Sequence, residues 1–304
     1  MISELQSFRK DFSLRVAEEL CIPESTLDFF LSAFWSSQHI LLEGPPGTGK
    51  TSLARCLGKM AGDWARVQMT SDTTPTDILG SQVLVSDQPI KLEFRKGPIF
   101  HRVVMVDEIN RALPRTQSSL LQAMEEKGVE IDGNHLALPP DFFLIATQNP
   151  FDHDGTYLLP MSQLDRFGMS LSFPAPQGEQ LDAVLGHTFG QDKKKANSTP
   201  ITLPSHQHLP VDEDWQRVVV GLQNHLGELE EQGALGIHPQ SIRAWKAWLE
   251  LGSCLSQLRG HEHLSTSALR DLLPHVFSHR LGIRPNSETM KGFVDRFNAL
   301  TSNT

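Results

Sequence analysis

The chain has 304 residues, with 27 Lys and Arg against 36 Asp and Glu for a net charge of −9, and it is 39% hydrophobic and 21% charged. That is about twice a typical domain length with the composition of a globular protein, which excludes disordered and fibrous classes. The acidic balance disfavours a protein that wraps nucleic-acid phosphates, and no run approaches the ~18 apolar residues of a membrane span.

The N-terminal stretch MISELQSFRKDFSLR has no apolar signal core, so a soluble, cytoplasmic chain is expected. Cys21, Cys56 and Cys254 are odd in number and form no C-x-x-C, the pattern of reduced thiols. The first candidate strand is HILL at 39–42, followed after a glycine-rich stretch by a helical pattern over 50–61. A second strand is expected at 64–69. Residues 76–100 pass through Gly80, Pro89, Gly97 and Pro98 and carry no strong helix. Then come VVMVD at 103–107, a helix over 115–127, and VEIDGNHLAL at 129–138, which alternates about Asp132-Gly133-Asn134 as a hairpin does. FFLIAT at 142–147, a short helix at 161–166 and MSLSF at 169–173 complete this part.

Four of these five strands read as continuous apolar runs, as strands buried on both faces of a parallel sheet do. Their alternation with helices predicts an α/β, doubly wound domain over residues 1–175. The composition shifts at 174–212, with five prolines and a lysine run at 193–195. Residues 176–211 are therefore read as a linker, partly flexible around 190–208. Helical patterns at 212–232, 239–258, 265–281 and 286–300 predict a small all-α domain over 212–304, with Ser265 as the N-cap of the third.

Residues Gly44-Pro45-Pro46-Gly47-Thr48-Gly49-Lys50-Thr51 match G-x-x-x-x-G-K-[ST] between a strand and a helix. Glycines there let backbone N–H groups curl around phosphate oxygens, and the following helix, Ser52 in its first turn, points its positive end at them. Lys50 would neutralise the β- and γ-phosphates of ATP and Thr51 would ligate Mg²⁺. Val103–Asp107 followed by Glu108 is an apolar strand ending in two carboxylates. Asp107 is suited to hold the Mg²⁺ and Glu108 to polarise the attacking water. Asn149, at the end of FFLIATQN, can hydrogen-bond phosphate and water without adding negative charge.

The segments LLEGPPGTGKTSLA, TSDTTPTDILG, FRKGPIF, VDEINRALPRTQSSLLQAMEEKGVEIDG, LPPDFFLIATQNP and GTYLLPMSQLDRFGM together resemble the MoxR group of AAA+ ATPases. GIHPQSIRAWKAW and the helix from Ser265 resemble that group's lid more loosely. The resemblance implies a P-loop core with a five-stranded parallel sheet of order 5-1-4-3-2, a helical lid, and a ring homo-oligomer, usually a hexamer, with ATP at subunit interfaces. It makes 76–100 a helix-2 insert and 129–138 the hairpin before the sensor-1 strand, with Asn149 as sensor 1. Arg166 matches the arginine that reaches a neighbouring subunit's γ-phosphate. Its alternative is a helix-end arginine paired with Asp165. Where the family usually has Pro-Glu-Ala-Gln, this chain has Pro160-Met161-Ser162-Gln163, and where the lid often has Ser-Pro-Arg it has Ser241-Ile242-Arg243 after His238-Pro239-Gln240. Arg243, in the first turn of a helix expected to pack over the nucleotide, is the candidate sensor-2 arginine.

By that resemblance the expected function is Mg²⁺-dependent ATP hydrolysis to remodel or mature a protein client, with a von Willebrand factor A domain protein as partner. The alternatives are a chelatase motor subunit, a nucleic-acid motor and a nucleotide-gated scaffold. Charge disfavours the second, and intact Glu108, Asn149 and Arg166 disfavour the third. His275 and His279 lie four apart on a helix but lack a third ligand, so a surface pair is expected. His206, His208, His261 and His263 are expected to be solvated, and Trp215, Trp245 and Trp248 to pack in the lid core or against a neighbour.

Overall fold

A computed structural model describes residues 2–87, 90–131, 133–150, 152, 155–175, 178, 208–211, 213–235 and 241–302. Two helices precede the first strand and are not anticipated by the pattern above. Helix α1 (Ile2–Ala17) buries Leu5, Phe8, Phe12 and Val16, the spacing of one helical face. Helix α2 (Glu24–Trp35) is buried almost all round from Leu27 to Phe34, as an element enclosed by neighbours must be.

The alternation that follows matches the sequence closely: β1 (Ile40–Glu43), α3 (Lys50–Ala61), β2 (Trp64–Gln68), α4 (Pro75–Leu79), β3 (Gly80–Asp87), β4 (Ile90–Lys96), β5 (Val103–Asp107), α5 (Pro114–Glu126), β6 (Gly128–Ile131), β7 (Asn134–Ala137), β8 (Phe143–Gln148), α6 (Met161–Leu164) and β9 (Met169–Ser172). Five of these strands form one parallel sheet in the order β2-β5-β8-β1-β9. Numbered one to five along the chain and read from the β9 edge, that is the expected 5-1-4-3-2. Every residue of β5 is buried, which a central strand covered by helices on both faces requires. The interval 76–100 holds an antiparallel hairpin, β3 with β4, entered through α4, and β6 pairs with β7 as the Asp-Gly-Asn signal predicts.

Beyond it lie α7 (Glu213–Glu231), α8 (Ile242–Leu258), α9 (Thr266–Leu281) and α10 (Glu288–Thr301). The expected connection at 176–211, with Lys193–Lys195 and His206, falls almost wholly outside the described residues, as do His238, Pro239, Gln240 and Asp132. Ser265 occupies the N-cap position of α9, yet its hydroxyl meets Ser267 at 2.9 Å and makes no side-chain cap bond. Ser287 does cap α10, accepting from the Met290 amide at 3.2 Å.

The C-terminal helices do not stand apart. Helix α8 packs on α2 and α1, and α9 packs on β9. One buried apolar cluster therefore runs from one sheet face (Leu42, Phe143, Ile145, Met169) through Phe12 and Phe30 to Trp248, Leu251 and Phe277. Gln38 donates to Glu250 at 2.6 Å across the same seam. A second cluster under the other sheet face gathers Leu41, Val104, Leu120, Leu144 and Phe167. Trp245 and Trp248 lie in the core against Phe277, Trp248 donating to the Leu269 carbonyl at 2.9 Å, and Trp215 stacks on Phe297. His208, His261 and His263 are exposed.

His275 and His279 correct the sequence reading. They are turned inward against β9, His279 only 9% exposed with Nε2 3.3 Å from the Phe167 carbonyl, and His275 against the Phe29 ring. Burial lowers both pKa values, that of His275 to about 4, so they are neutral packing groups. The three cysteines are free, and burial pushes the Cys56 thiol up to about 11.

Candidate active site

Strand β1 delivers the chain into the loop 44–49 at the C-terminal edge of the sheet, and the glycines there serve different ends. Gly44 has φ +154°, and a Cβ on it would lie 2.1 Å from the Phe173 carbonyl oxygen, so strand packing demands glycine. Gly47 has φ +81° with nothing within 4 Å, so only its backbone conformation does. The loop closes on Lys50, whose Nζ donates to the carbonyls of Gly44 at 2.8 Å and Pro45 at 2.7 Å and lies 3.2 Å from Thr48 Oγ1. Burial lowers the Lys50 pKa, opposed by the negative charges of Asp107 and Glu108. Helix α3 starts at Lys50, so the first-turn amides of Lys50, Thr51 and Ser52 lack helical acceptors and face the loop with Pro46 and Thr48.

One residue the sequence reading missed borders this loop. The Leu20 methyls would lie 3.1 and 3.9 Å from a Cβ on Gly49, so this side chain, from the segment between α1 and α2, sets apolar surface against the end of the loop. No local signal marks it, because it is near only in space.

Strand β5 presents the acids at the same edge. Asp107 is 3% exposed. Its Oδ1 accepts from Thr51 Oγ1 at 3.2 Å and from Thr147 Oγ1 at 3.3 Å, and its Oδ2 accepts from Arg66 Nε at 2.7 Å. Glu108 has φ 56° and ψ 51°, a left-handed conformation that L side chains seldom adopt. Its amide donates to Thr147 Oγ1 at 3.0 Å, so Thr147 holds both acids at once. The Glu108 carboxylate is met at Oε2 by Gln68 at 2.8 Å and by Arg111 at 3.0 Å, and Arg111 also pairs with Asp152 at 2.6 Å. Arg66, Gln68, Thr147 and Arg111 were not anticipated. They lie on β2 and β8, which flank β5, and on the turn after it.

Asn149 follows β8, between the strands that lead to the cradle and to the acids, and is half-buried. Thr51 and Asp107 give a pair of oxygen donors within hydrogen-bond distance, a set that suits a hard cation such as Mg²⁺. Amides and an ammonium for phosphate, oxygens for a divalent ion and a held carboxylate together suit phosphoryl transfer to water.

Arg166 and Arg243 are elsewhere. Arg166 precedes β9, and the Gly168 amide donates to the His39 carbonyl at 2.7 Å, ahead of β1. The two strands run parallel from Ile40 beside Met169, so Arg166 lies at the N-terminal edge while the cradle follows the C-terminal edge. The four residues of β1 alone separate the edges by about 13 Å. Arg166 pairs with Glu125 at 3.1 Å, not with Asp165. Arg243 does stand in the first turn of α8, but there it meets Glu125 and, at 3.3 Å, Asp165, the neighbour of Arg166.

Residues 39–169 match the model of the ATPase family associated with various cellular activities (AAA). The chain is 32% identical over 269 residues to YeaC of Bacillus subtilis, covering 85% of this chain and 82% of that one. It is 29% identical over 272 residues to Chaperone MoxR1 of Mycobacterium tuberculosis, covering 85% and 71%. Among solved structures it is similar to a putative ATPase from Cytophaga hutchinsonii, with a TM-score of 0.77 at 23% identity over 99% of this chain and 96% of that one.

Proposed function

The chain belongs to the MoxR family of AAA+ ATPases, and on that footing we propose that it hydrolyses ATP with Mg²⁺ as a hexameric ring and remodels a protein client. The observation that carries the hydrolytic reading is the joining of the phosphate loop to the acids through Thr51 and Asp107, 3.2 Å apart.

In this reading the amides from Gly44 to Ser52 hold the phosphates of ATP, and Lys50 supplies a positive charge where negative charge develops. Thr51 and Asp107 would hold Mg²⁺, which when bound offsets charge on the β- and γ-phosphates. Glu108, oriented through Oε2 by Gln68 and Arg111, takes the proton of the attacking water on its other oxygen. Asn149 orders that water.

Arg166 cannot complete its own chain's site from the opposite sheet edge, because an arginine side chain is shorter than the strand between them. A ring solves this by seating the Arg166 edge of one subunit over the cradle of the next. Arg243, on the same edge, enters the neighbour's site beside Arg166. The guanidiniums then stabilise transition-state charge across the interface.

The −9 charge supports a protein client over a nucleic acid. For client recruitment we propose a von Willebrand factor A domain protein. Two experiments test the reading. Wild-type protein should release phosphate from ATP only with Mg²⁺, and Glu108→Gln should bind ATP, stay assembled in sedimentation and release none. Normal turnover by that variant would remove Glu108 as the base. Affinity capture with Glu108→Gln plus ATP should retain a client and the von Willebrand factor A partner; recovery of a tetrapyrrole-binding protein would point instead to metal insertion.

A further inference from the structure

Arg280, in the last turn of α9, is 1% exposed, the most deeply buried cation among the described residues. A guanidinium carries five N–H donors in a rigid fork, and here all five are matched. Nε donates to Asp165 Oδ1 at 2.9 Å. One terminal nitrogen donates to the carbonyls of Asp165 at 3.2 Å and Phe167 at 2.6 Å. The other donates to the Gly168 carbonyl at 3.1 Å and to that of Val276 within its own helix. Four of the five bonds therefore end on residues 165–168, the segment that carries Arg166, and two of them hold the carbonyls of its two chain neighbours, Asp165 and Phe167. The second oxygen of Asp165 takes Ser241 at 2.9 Å and Arg243 at 3.3 Å, so the starts of α8 and the end of α9 converge on one carboxylate.

This amount of matched donor capacity exceeds what helix packing needs. An apolar side chain would fill the same space without a buried charge. What the fork adds is direction: it ties the carbonyls of a short segment, whose amides are already bonded within the turn and to His39, to the end of α9.

We propose that Arg280 is the positioning residue for Arg166, aiming its guanidinium from one subunit at the nucleotide of the next. The helical part of one subunit thereby sets the rate of its neighbour. This rests on the reading of Arg166 given above, and the test separates the two.

Arg280→Lys keeps the charge and loses the fork; Arg280→Gln removes the charge and keeps two donors. Each should bind ATP with a Kd within about threefold of wild type while kcat falls about 10²-fold, the cost of misplacing a reacting group by about 1 Å. Each is then co-assembled with Lys50→Ala subunits, which lack a working cradle but have an intact Arg166. Interfaces pairing the Arg280 variant's cradle with the Lys50→Ala subunit's Arg166 should regain turnover. Arg166→Ala mixed with Lys50→Ala is the control: no recovery there overturns the trans reading of Arg166. Recovery in the control but not with the Arg280 variants overturns the present proposal alone. So does loss of ATP binding in both Arg280 variants, or an undiminished kcat in both, since Arg280 then serves its own subunit or no site at all.

Discussion

Arg166 and Arg243 reach the same carboxylate, that of Glu125, from different elements of the chain. Two guanidiniums repel unless an acid lies between them, and Glu125 with Asp165 supplies that acid here. The pair behaves as one unit, so its losses should not add. Arg166→Ala should lower kcat about 10³-fold with little change in ATP affinity, the effect of removing a transition-state cation. Arg243→Ala should cost less, and the double variant should be little worse than Arg166→Ala alone. Steady-state kinetics with a separate nucleotide-binding assay check this; strictly multiplicative losses would show that the two arginines act independently.

The glycines of the cradle should differ in sensitivity. Gly44→Ala drives a methyl against the Phe173 carbonyl and should lower Tm by roughly 5–10 °C as well as weaken ATP binding. Gly47→Ala meets no atom and is strained only at φ +81°, so its Tm should fall less. Thermal unfolding of the two variants side by side decides it, and equal losses would contradict the contact with Phe173.

Thr147 is hydrogen-bonded to Asp107 and receives the amide of Glu108. Thr147→Val keeps the shape and removes both bonds, leaving Glu108 in a left-handed conformation without its anchor. A drop in kcat of roughly tenfold or more is expected, with the fold retained by circular dichroism. Thr147→Ser, which keeps the hydroxyl, should restore most of it.

Acid should weaken the protein before its carboxylates titrate. Burial lowers the pKa of both His39 and His275 from 6.5 to about 4, His39 also feeling Lys127, and lowers His279 further. The unfolded chain takes up these protons near pH 6.5 and the folded chain does not. Their contribution is therefore complete above about pH 6.5 and is lost as pH falls toward 4, at up to about 1.4 kcal/mol per pH unit for each group. Urea midpoints at pH 7.5 and 5.5 should show the fall, and His275→Gln should flatten it. An unchanged pH slope in that variant would mean that His275 is solvated after all.

What could be read in advance follows from distance along the chain. The cradle is a contiguous motif, and β5 and β8 are apolar runs whose burial on both faces follows from their composition alone. Glu108 and Asn149 were legible because each directly follows such a run. Arg66, Thr147 and Arg280 were not, because their partners lie 41, 40 and 115 residues away, beyond any local pattern. Helix α2 escaped for the opposite reason: apolar on nearly every side, it has no polar face to give a period. His275 and His279 were misread because imidazoles at helical spacing suggest solvent or a metal, whereas here backbone carbonyls and an aromatic ring receive them. The position of Arg243 depended on how the helices after residue 212 lie against α2, which no motif encodes.

The seam between α2 and α8 has a consequence for how the chain is made. Helix α2, which carries Phe29, Phe30 and Phe34, leaves the ribosome long before α8, the helix that packs on it, which begins only at Ile242. At ~5–20 residues per second, that covering arrives ~10–40 s later. The nascent chain therefore carries an uncovered aromatic surface while the residues between α2 and α8 are made, and a ribosome stalled before Ile242 would release a sticky fragment. A protein proposed to remodel others would itself need a holding factor during its own birth.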